Sequence, residues 1–305
     1  MNWKTTGKIA LGAAGAGLFA FEELYRYIFC RKQPKLLCKA LDSFHHEEDF
    51  YRFRTETDRA LRSLPHEVYS IRSERGEKLV GYFFPTCGKP TGKIAFVIHG
   101  YHSNGIYTAG MLLDYYRSRG FDIFCVENTT TRPSGGEIVG YDYYESADCL
   151  KWLDYLVGLF GEEVQIVLHG FSLGAATVSA MSDRCPPQVK FGVVDSGYTS
   201  AAELLKPRLG PLYAAMNGFN RLLAGYSLED TDVRPHVKNS VIPLFYVHGT
   251  ADATVPYAMS QELSSLCGNE TSLLIVEGAG HIEPFFLAQA DYSTGIDGFI
   301  AKFIH

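Results

Sequence analysis

The chain reads as a doubly wound α/β fold built on a mostly parallel sheet. Two patterns predict it. Short continuous apolar runs recur at Ile94–Ile98, Phe121–Val126, Val164–Leu168, Phe191–Val194, Leu244–Val247 and Leu273–Val276. Unbroken apolar runs, as opposed to alternating ones, mark strands buried on both faces, as in parallel sheets. Helix-prone stretches such as Tyr107–Arg119, Tyr144–Leu159 and Leu173–Arg184 lie between them. Strand and helix in alternation build parallel βαβ units.

Taken in order, residues 1–32 form an apolar N-terminal segment. Lys4 and Lys8 precede the apolar stretch Ile9–Phe21, and Leu24–Phe29 adds Tyr25, Tyr27 and Phe29. Thirteen helical residues rise only about 20 Å, too short to span a bilayer core of about 30 Å unaided. The segment reads either as an interfacial anchor or uncleaved signal, with membrane contact through residues 9–29, or as a helix packed on the protein's own body. The corresponding locations are membrane-associated or cytoplasmic. Residues 33–65 form a helical lead-in. Within it Phe50, Phe53, Thr57, Leu61 and Leu64 make a stripe at helical spacing that Pro65 ends. Val68–Arg72 and Lys78–Phe84 alternate like strands around a hairpin turn at Glu74–Glu77.

Residues 66–305 are expected to be one domain. About fifty residues without a strand separate Phe191–Val194 from Leu244–Val247. That excursion carries Leu205, Leu209 and Met216 at helical spacing and reads as a small helical cap over residues 198–240. It leaves from the carboxyl end of a strand, where ligands bind in open α/β sheets.

Composition sets the outer limits. The 305 residues are 46% hydrophobic and 20% charged, which is ordinary for a folded protein. With 28 Lys+Arg against 34 Asp+Glu, the net charge of −6 leaves no basic excess for phosphate contacts, so nucleic acid is not expected as a partner. The seven cysteines show no C-x-x-C pair and no zinc spacing, and read as small buried hydrophobes. No metal and no cofactor is expected. His99, His169 and His248 each precede a glycine at a strand end, and there an imidazole can satisfy buried loop backbone.

The chemistry concentrates in Gly170-Phe171-Ser172-Leu173-Gly174. It follows one predicted strand and opens a helix, the context that a nucleophile elbow requires. A strained turn lifts the serine Oγ clear of the sheet. The N–H of Leu173, at the helix start, points to where negative charge develops. A serine hydroxyl needs a base, and the base needs an acid, in the chain order Ser, Asp or Glu, His. His281 follows the last strand in Gly278-Ala279-Gly280-His281, and Asp252 follows the strand before it. Asp195, directly after Phe191–Val194, competes for the acid's role, but its position suits bonding backbone where the cap begins. The second oxyanion donor is expected in His99–Gly105, with the N–H of Tyr101 as candidate. His102, Leu205, Leu209 and Met216 are candidate substrate contacts.

These segments, with Asp195–Ser200 and Gly225-Tyr226-Ser227, resemble bacterial serine hydrolases of the α/β-hydrolase fold, of the small-cap type grouped with serine aminopeptidases and monoacylglycerol lipases. The resemblance covers roughly residue 66 to the end. It implies Ser172 as nucleophile, His281 as base, Asp252 as acid, and an oxyanion hole from the N–H groups of Tyr101 and Leu173. The Asp-x-Arg-Gly-His-Gly-like stretch usual in that group is replaced here by Glu127–Gly136, so the group's substrates do not carry over. The expected activity is hydrolysis of a carboxylic ester of a small or medium acyl or aromatic substrate through an acyl-enzyme. An amidase, peptidase, thioesterase or acyltransferase using the same three residues is the alternative, and a non-catalytic hydrolase-fold protein a third. Oligomeric state is not read from the sequence.

Overall fold

A computed structural model describes residues 17–31, 47–86 and 88–305. Eight strands form one sheet: β1 (Glu67–Arg72), β2 (Lys78–Phe84), β3 (Lys93–Ile98), β4 (Asp122–Glu127), β5 (Gln165–Phe171), β6 (Val189–Asp195), β7 (Leu244–Gly249) and β8 (Thr271–Val276). Their order is β1-β2-β4-β3-β5-β6-β7-β8. β1 and β2 pair antiparallel, as does β2 with β4, and every pairing from β4 through β8 is parallel. All six residues of β4 and all six of β7 are buried, including the apolar runs Ile123–Val126 and Leu244–Val247 and the polar Asp122, Glu127 and His248 at the strand ends. The hairpin turn closes with Ser73 N–H donating to the Glu77 carbonyl.

Two hydrophobic layers cover the sheet's faces. One joins Phe84, Val97, Phe121, Phe191 and Phe299, and the other Phe96, Phe124, Trp152, Leu168 and Tyr246. The helix Glu47–Arg62 docks on the first through Phe50 and Leu61, with Phe53 and Leu64 packed against it, which is the stripe read from the sequence. The stretch expected as one helix at Tyr107–Arg119 is two short ones, Gly105–Gly110 and Leu113–Ser118. The break follows Gly110. A Cβ on Gly110 would press into the backbone of Thr57, so the two helices touch there main chain to main chain.

The excursion between β6 and β7 is helical, with Ala201–Leu209, Tyr213–Ala224 and Arg234–Lys238 joined by short 3₁₀ turns. A third cluster ties it to the elbow helix and to an N-terminal helix over residues 17–29, through Tyr25, Phe29, Tyr141, Leu173, Tyr198 and Met216. The Phe219 ring meets the edges of Phe21 and Tyr25, and the Tyr25 hydroxyl donates to Asn220 Oδ1. Of the two readings of the apolar segment, residues 21–29 therefore follow the second and pack on the protein's own body. Residues 1–16 and most of the lead-in before Glu47 lie outside the described residues, as do Cys38 and Cys87. Among the described residues, no helix is long and apolar enough to cross a membrane.

Candidate active site

Parallel pairing brings the carboxyl ends of β3 to β8 to one edge of the sheet. Ser172 leaves β5 there, Asp252 follows β7, His281 follows β8 and Tyr101 follows β3. Ser172 sits at φ 54° and ψ −114°, a strained conformation for a residue with a side chain, and opens the helix Leu173–Met181. The turn is this tight because its glycines touch main chain. A Cβ at Gly170 would collide with the carbonyl of Gly174, and a Cβ at Gly174 with the carbonyl of Ile98. The Ser172 N–H donates to the Asp195 carbonyl at 2.9 Å, which pins the elbow to β6.

The three residues separated in sequence meet here. His281 Nε2 lies 2.9 Å from Ser172 Oγ, and His281 Nδ1 lies 2.7 Å from Asp252 Oδ2. A carboxylate accepts, so Nδ1 carries the proton and Nε2 is left to accept from the serine hydroxyl. The Asp252 side chain is fully buried. Its Oδ1 accepts the N–H groups of Thr254 and Val255, each at 2.8 Å. Burial pushes the carboxyl up. The hydrogen bonds from His248, His281 and the Val255 N–H, with the nearby imidazole charge, outweigh burial and hold it well below the usual carboxylate range.

His248 was read from the sequence as a strand-end histidine only. Its Nε2 faces Asp252 Oδ2 and the Val255 carbonyl, each at 3.0 Å, while Nδ1 meets Ser260 Oγ at 2.7 Å. Two acceptors at Nε2 place a proton there, so His248 helps orient Asp252. The four-residue spacing of the two, from the end of β7 into the loop after it, is the sequence signal for this.

Asp195 differs from the expectation that its side chain bonds backbone. Its Oδ1 accepts the Ser196 hydroxyl at 2.8 Å and its Oδ2 the Tyr292 hydroxyl at 2.9 Å. Tyr292 in turn reaches His169, which also contacts the Tyr116 hydroxyl. The reason is burial. The residue is fully enclosed, and among the described residues the hydroxyls of Ser196 and of Tyr292, on the helix Gln289–Phe303, reach its carboxyl. Burial pushes its carboxyl up to about 6. Ser196 Oγ accepts the N–H of Ile282, a residue at φ 56° beside His281. Sequence reading missed this brace, because Tyr292 is distant in the chain and unremarkable on its helix.

His99 lies below the Tyr101 loop. Its Nε2 accepts the Asn128 N–H at 3.1 Å, so Nδ1 donates to the Gly100 carbonyl at 2.7 Å, and burial pushes its pKa down to about 4. Glu127 Oε2 is 3.8 Å away, but burial pushes that carboxyl up to about 8, and both groups are neutral near pH 7. His99, His169 and His248 thus each have other partners, and no group of three or more possible metal ligands occurs among the described residues.

A cavity of about 540 Å³ opens beside the elbow, lined by Leu173, Tyr101, His102, Arg31 and Arg132 among others. The N-terminal segment builds one wall. The Tyr101 hydroxyl shares its one proton between the carbonyls of Tyr27 and Ile28, each at 2.8 Å, and the Arg31 guanidinium donates to those of Ser134 and Gly136. Burial, then the like charge of Arg132, pushes the Arg31 guanidinium below its ordinary value. Leu205, Leu209 and Met216 belong to the third hydrophobic cluster, with Met216 fully buried, and do not line this cavity.

A serine hydrolase family model (FSH1) matches residues 153–291, which contain Ser172, Asp252 and His281. The uncharacterised protein YqkD of Bacillus subtilis is 20% identical over 250 residues, covering 79% of this chain and 81% of its own. The uncharacterised protein YfhR of Salmonella typhi is 27% identical over 233 residues, covering 72% and 77%. Among solved structures, the Pyrococcus furiosus esterase Pf2001 superposes with a TM-score of 0.65 at 16% identity, over 86% of this chain and 97% of that one. Est1E from Butyrivibrio proteoclasticus superposes with a TM-score of 0.56 at 17% identity, over 77% and 99%. The chain has the α/β-hydrolase fold, and its residues 153–291 match a serine hydrolase family. The stretch after β4, Glu127–Gly136, supplies residues 128–132 to the cavity.

Proposed function

We propose that this protein hydrolyses carboxylic esters through an acyl-enzyme on Ser172. The observation that carries the reading is His281, held between Ser172 Oγ at 2.9 Å and Asp252 Oδ2 at 2.7 Å. Ser172 Oγ attacks the ester carbonyl carbon while its proton passes to His281 Nε2. The oxyanion that forms is held by the N–H groups of Tyr101 and Leu173. Leu173 begins a helix, where first-turn N–H groups have no intrahelical acceptor. The intermediate collapses, the C–O bond breaks and the alcohol leaves with the proton from His281. Water, deprotonated by His281, then attacks the acyl-serine and releases the acid. Asp252 keeps His281 in the productive tautomer and stabilises the imidazolium.

Residues 198–240 act as the cap in this reading, with Leu205, Leu209 and Met216 setting its packing and His102 contacting substrate from the cavity. The likeness to esterases supports an ester over an amide. A panel of p-nitrophenyl esters of increasing acyl length, run beside aminoacyl anilides, tests the choice. Ester turnover with inert anilides is expected. Anilide turnover with inert esters reverses it in favour of an amidase or peptidase.

The reading extends to contact with a lipid surface through the exposed start of the N-terminal helix, residues 17–20. Its support is that Leu18 and Phe19, at the end of the apolar stretch, remain 71% and 64% exposed.

A further inference from the structure

The cavity beside the elbow has a charge bias that hydrolysis of a neutral ester does not require. Arg31 and Arg132 line it, and among the described residues that line it none carries a carboxylate. A chain of net charge −6 has gathered cations here. Arg31 is held in place, its side chain about one-tenth exposed, by the carbonyls of Ser134 and Gly136. The nearest acid, Glu137, stands 4.0 Å from Arg31 and is two-thirds exposed outside the lining. Arg132 is exposed at the cavity and adds like charge to Arg31.

A third guanidinium stands behind the wall. Arg54 Nη2 reaches Ser103 Oγ at 3.4 Å, and Ser103 lines the cavity. The Arg54 side chain stacks on Tyr107 and Phe50, and its Nε is buried without a hydrogen-bond partner. Two like charges facing one space repel until an anion enters between them. Planar guanidinium groups match carboxylate and phosphate oxygens in paired hydrogen bonds.

We infer that the substrate carries an anionic group, a carboxylate or a phosphate, which docks against Arg31 and Arg132 while the ester carbonyl sits at Ser172. This deepens the ester-hydrolase reading and rests on it. Residues 128–132 come from the loop that departs from the usual stretch, so this selectivity is a property of this chain's own sequence.

The test compares the mono-p-nitrophenyl ester of glutaric acid with p-nitrophenyl pentanoate, which has a similar length and no charge. The wild-type protein should prefer the anionic ester by about tenfold or more in kcat/KM, as charge-assisted hydrogen bonds allow. The preference should shrink as ionic strength rises. Arg132→Glu should lower the selectivity ratio by more than about tenfold. Isothermal titration with glutarate and with inorganic phosphate gives a readout that needs no turnover. Tighter binding of one names the anion, and Arg132→Glu should abolish it. Normal turnover of the pentanoate with no preference for the anionic ester, and no binding of either anion, overturns the inference and leaves the hydrolase reading standing. Anion binding lost in Arg132→Glu, with every ester inert, leaves this anion site standing and overturns the hydrolase reading.

Discussion

The Nδ1 of His281 lies 2.7 Å from Oδ2 of Asp252, while the buried carboxyl of Asp195 faces the hydroxyls of Ser196 and Tyr292. Two acids compete for one role in the sequence, and the geometry separates them. Asp252→Asn should cost about 10⁴-fold in kcat, because the amide no longer holds the reactive tautomer. Asp195→Asn should cost far less in kcat and act mainly on stability, since its carboxyl braces the backbone next to Ile282. Steady-state kinetics of both variants on one ester decides. Equal losses would contradict the assignment.

The elbow glycines carry a structural prediction. Gly174→Ala would press a methyl group into the Ile98 carbonyl. Overpacking of this kind costs about 1–3 kcal/mol or more. Urea unfolding should show the loss, and an unchanged midpoint would mean that the helix start relaxes away from β3.

Glu127 gives a pH prediction. Burial raises its carboxyl from 4.5 to about 8. Below about 4.5 both folded and unfolded states are protonated. Between that value and about 8 the unfolded chain gives up the proton while the folded protein keeps it, so this group's contribution to stability falls as pH rises. Glu127→Gln keeps the shape and removes the titration. Relative to wild type it should gain roughly 2–4 kcal/mol in stability between pH 5 and pH 8. Denaturant unfolding at both pH values measures this, and a difference independent of pH would contradict it.

The N-terminal segment yields a fourth prediction. Leu18 and Phe19 are exposed while Tyr25 and Phe29 are buried in the protein. With this exposed surface as the lipid contact, the double variant Leu18→Ser, Phe19→Ser should bind anionic phospholipid vesicles more than about tenfold less tightly in co-sedimentation, given the apolar area removed. Equal vesicle binding would contradict lipid contact through this surface.

The sheet was legible because strands buried on both faces carry continuous apolar runs, as β4 does over Ile123–Val126 and β7 over Leu244–Val247. Ser172 was legible because its two glycines report contacts between main chains, which no other residue tolerates. Asp252 and His281 were legible together through their order after successive strands. Other features depend on loop geometry or on partners far along the chain, and leave no local pattern. His248 meets Asp252 only through the way the chain folds back after β7, with their four-residue spacing as a faint sign, and Tyr292 reaches Asp195 across 97 residues. The N-terminal helix was ambiguous for a physical reason. A bilayer and a protein interior select the same apolar side chains, and only contacts such as Tyr25 with Asn220 tell them apart. The arginines at the cavity, Arg31 and Arg132 in its lining and Arg54 behind it, were invisible because they come from three separate segments in a chain whose overall charge is negative.

The central claim is that Ser172 is a nucleophile activated by His281. Its most direct test is labelling by a fluorophosphonate probe, read by intact-protein mass. The wild-type protein should gain one adduct, on Ser172. Ser172→Ala should gain none, and its kcat on p-nitrophenyl esters should fall by about 10⁶-fold. Labelling that persists in a folded Ser172→Ala protein, or a wild-type protein that neither labels nor turns over any ester, would contradict it.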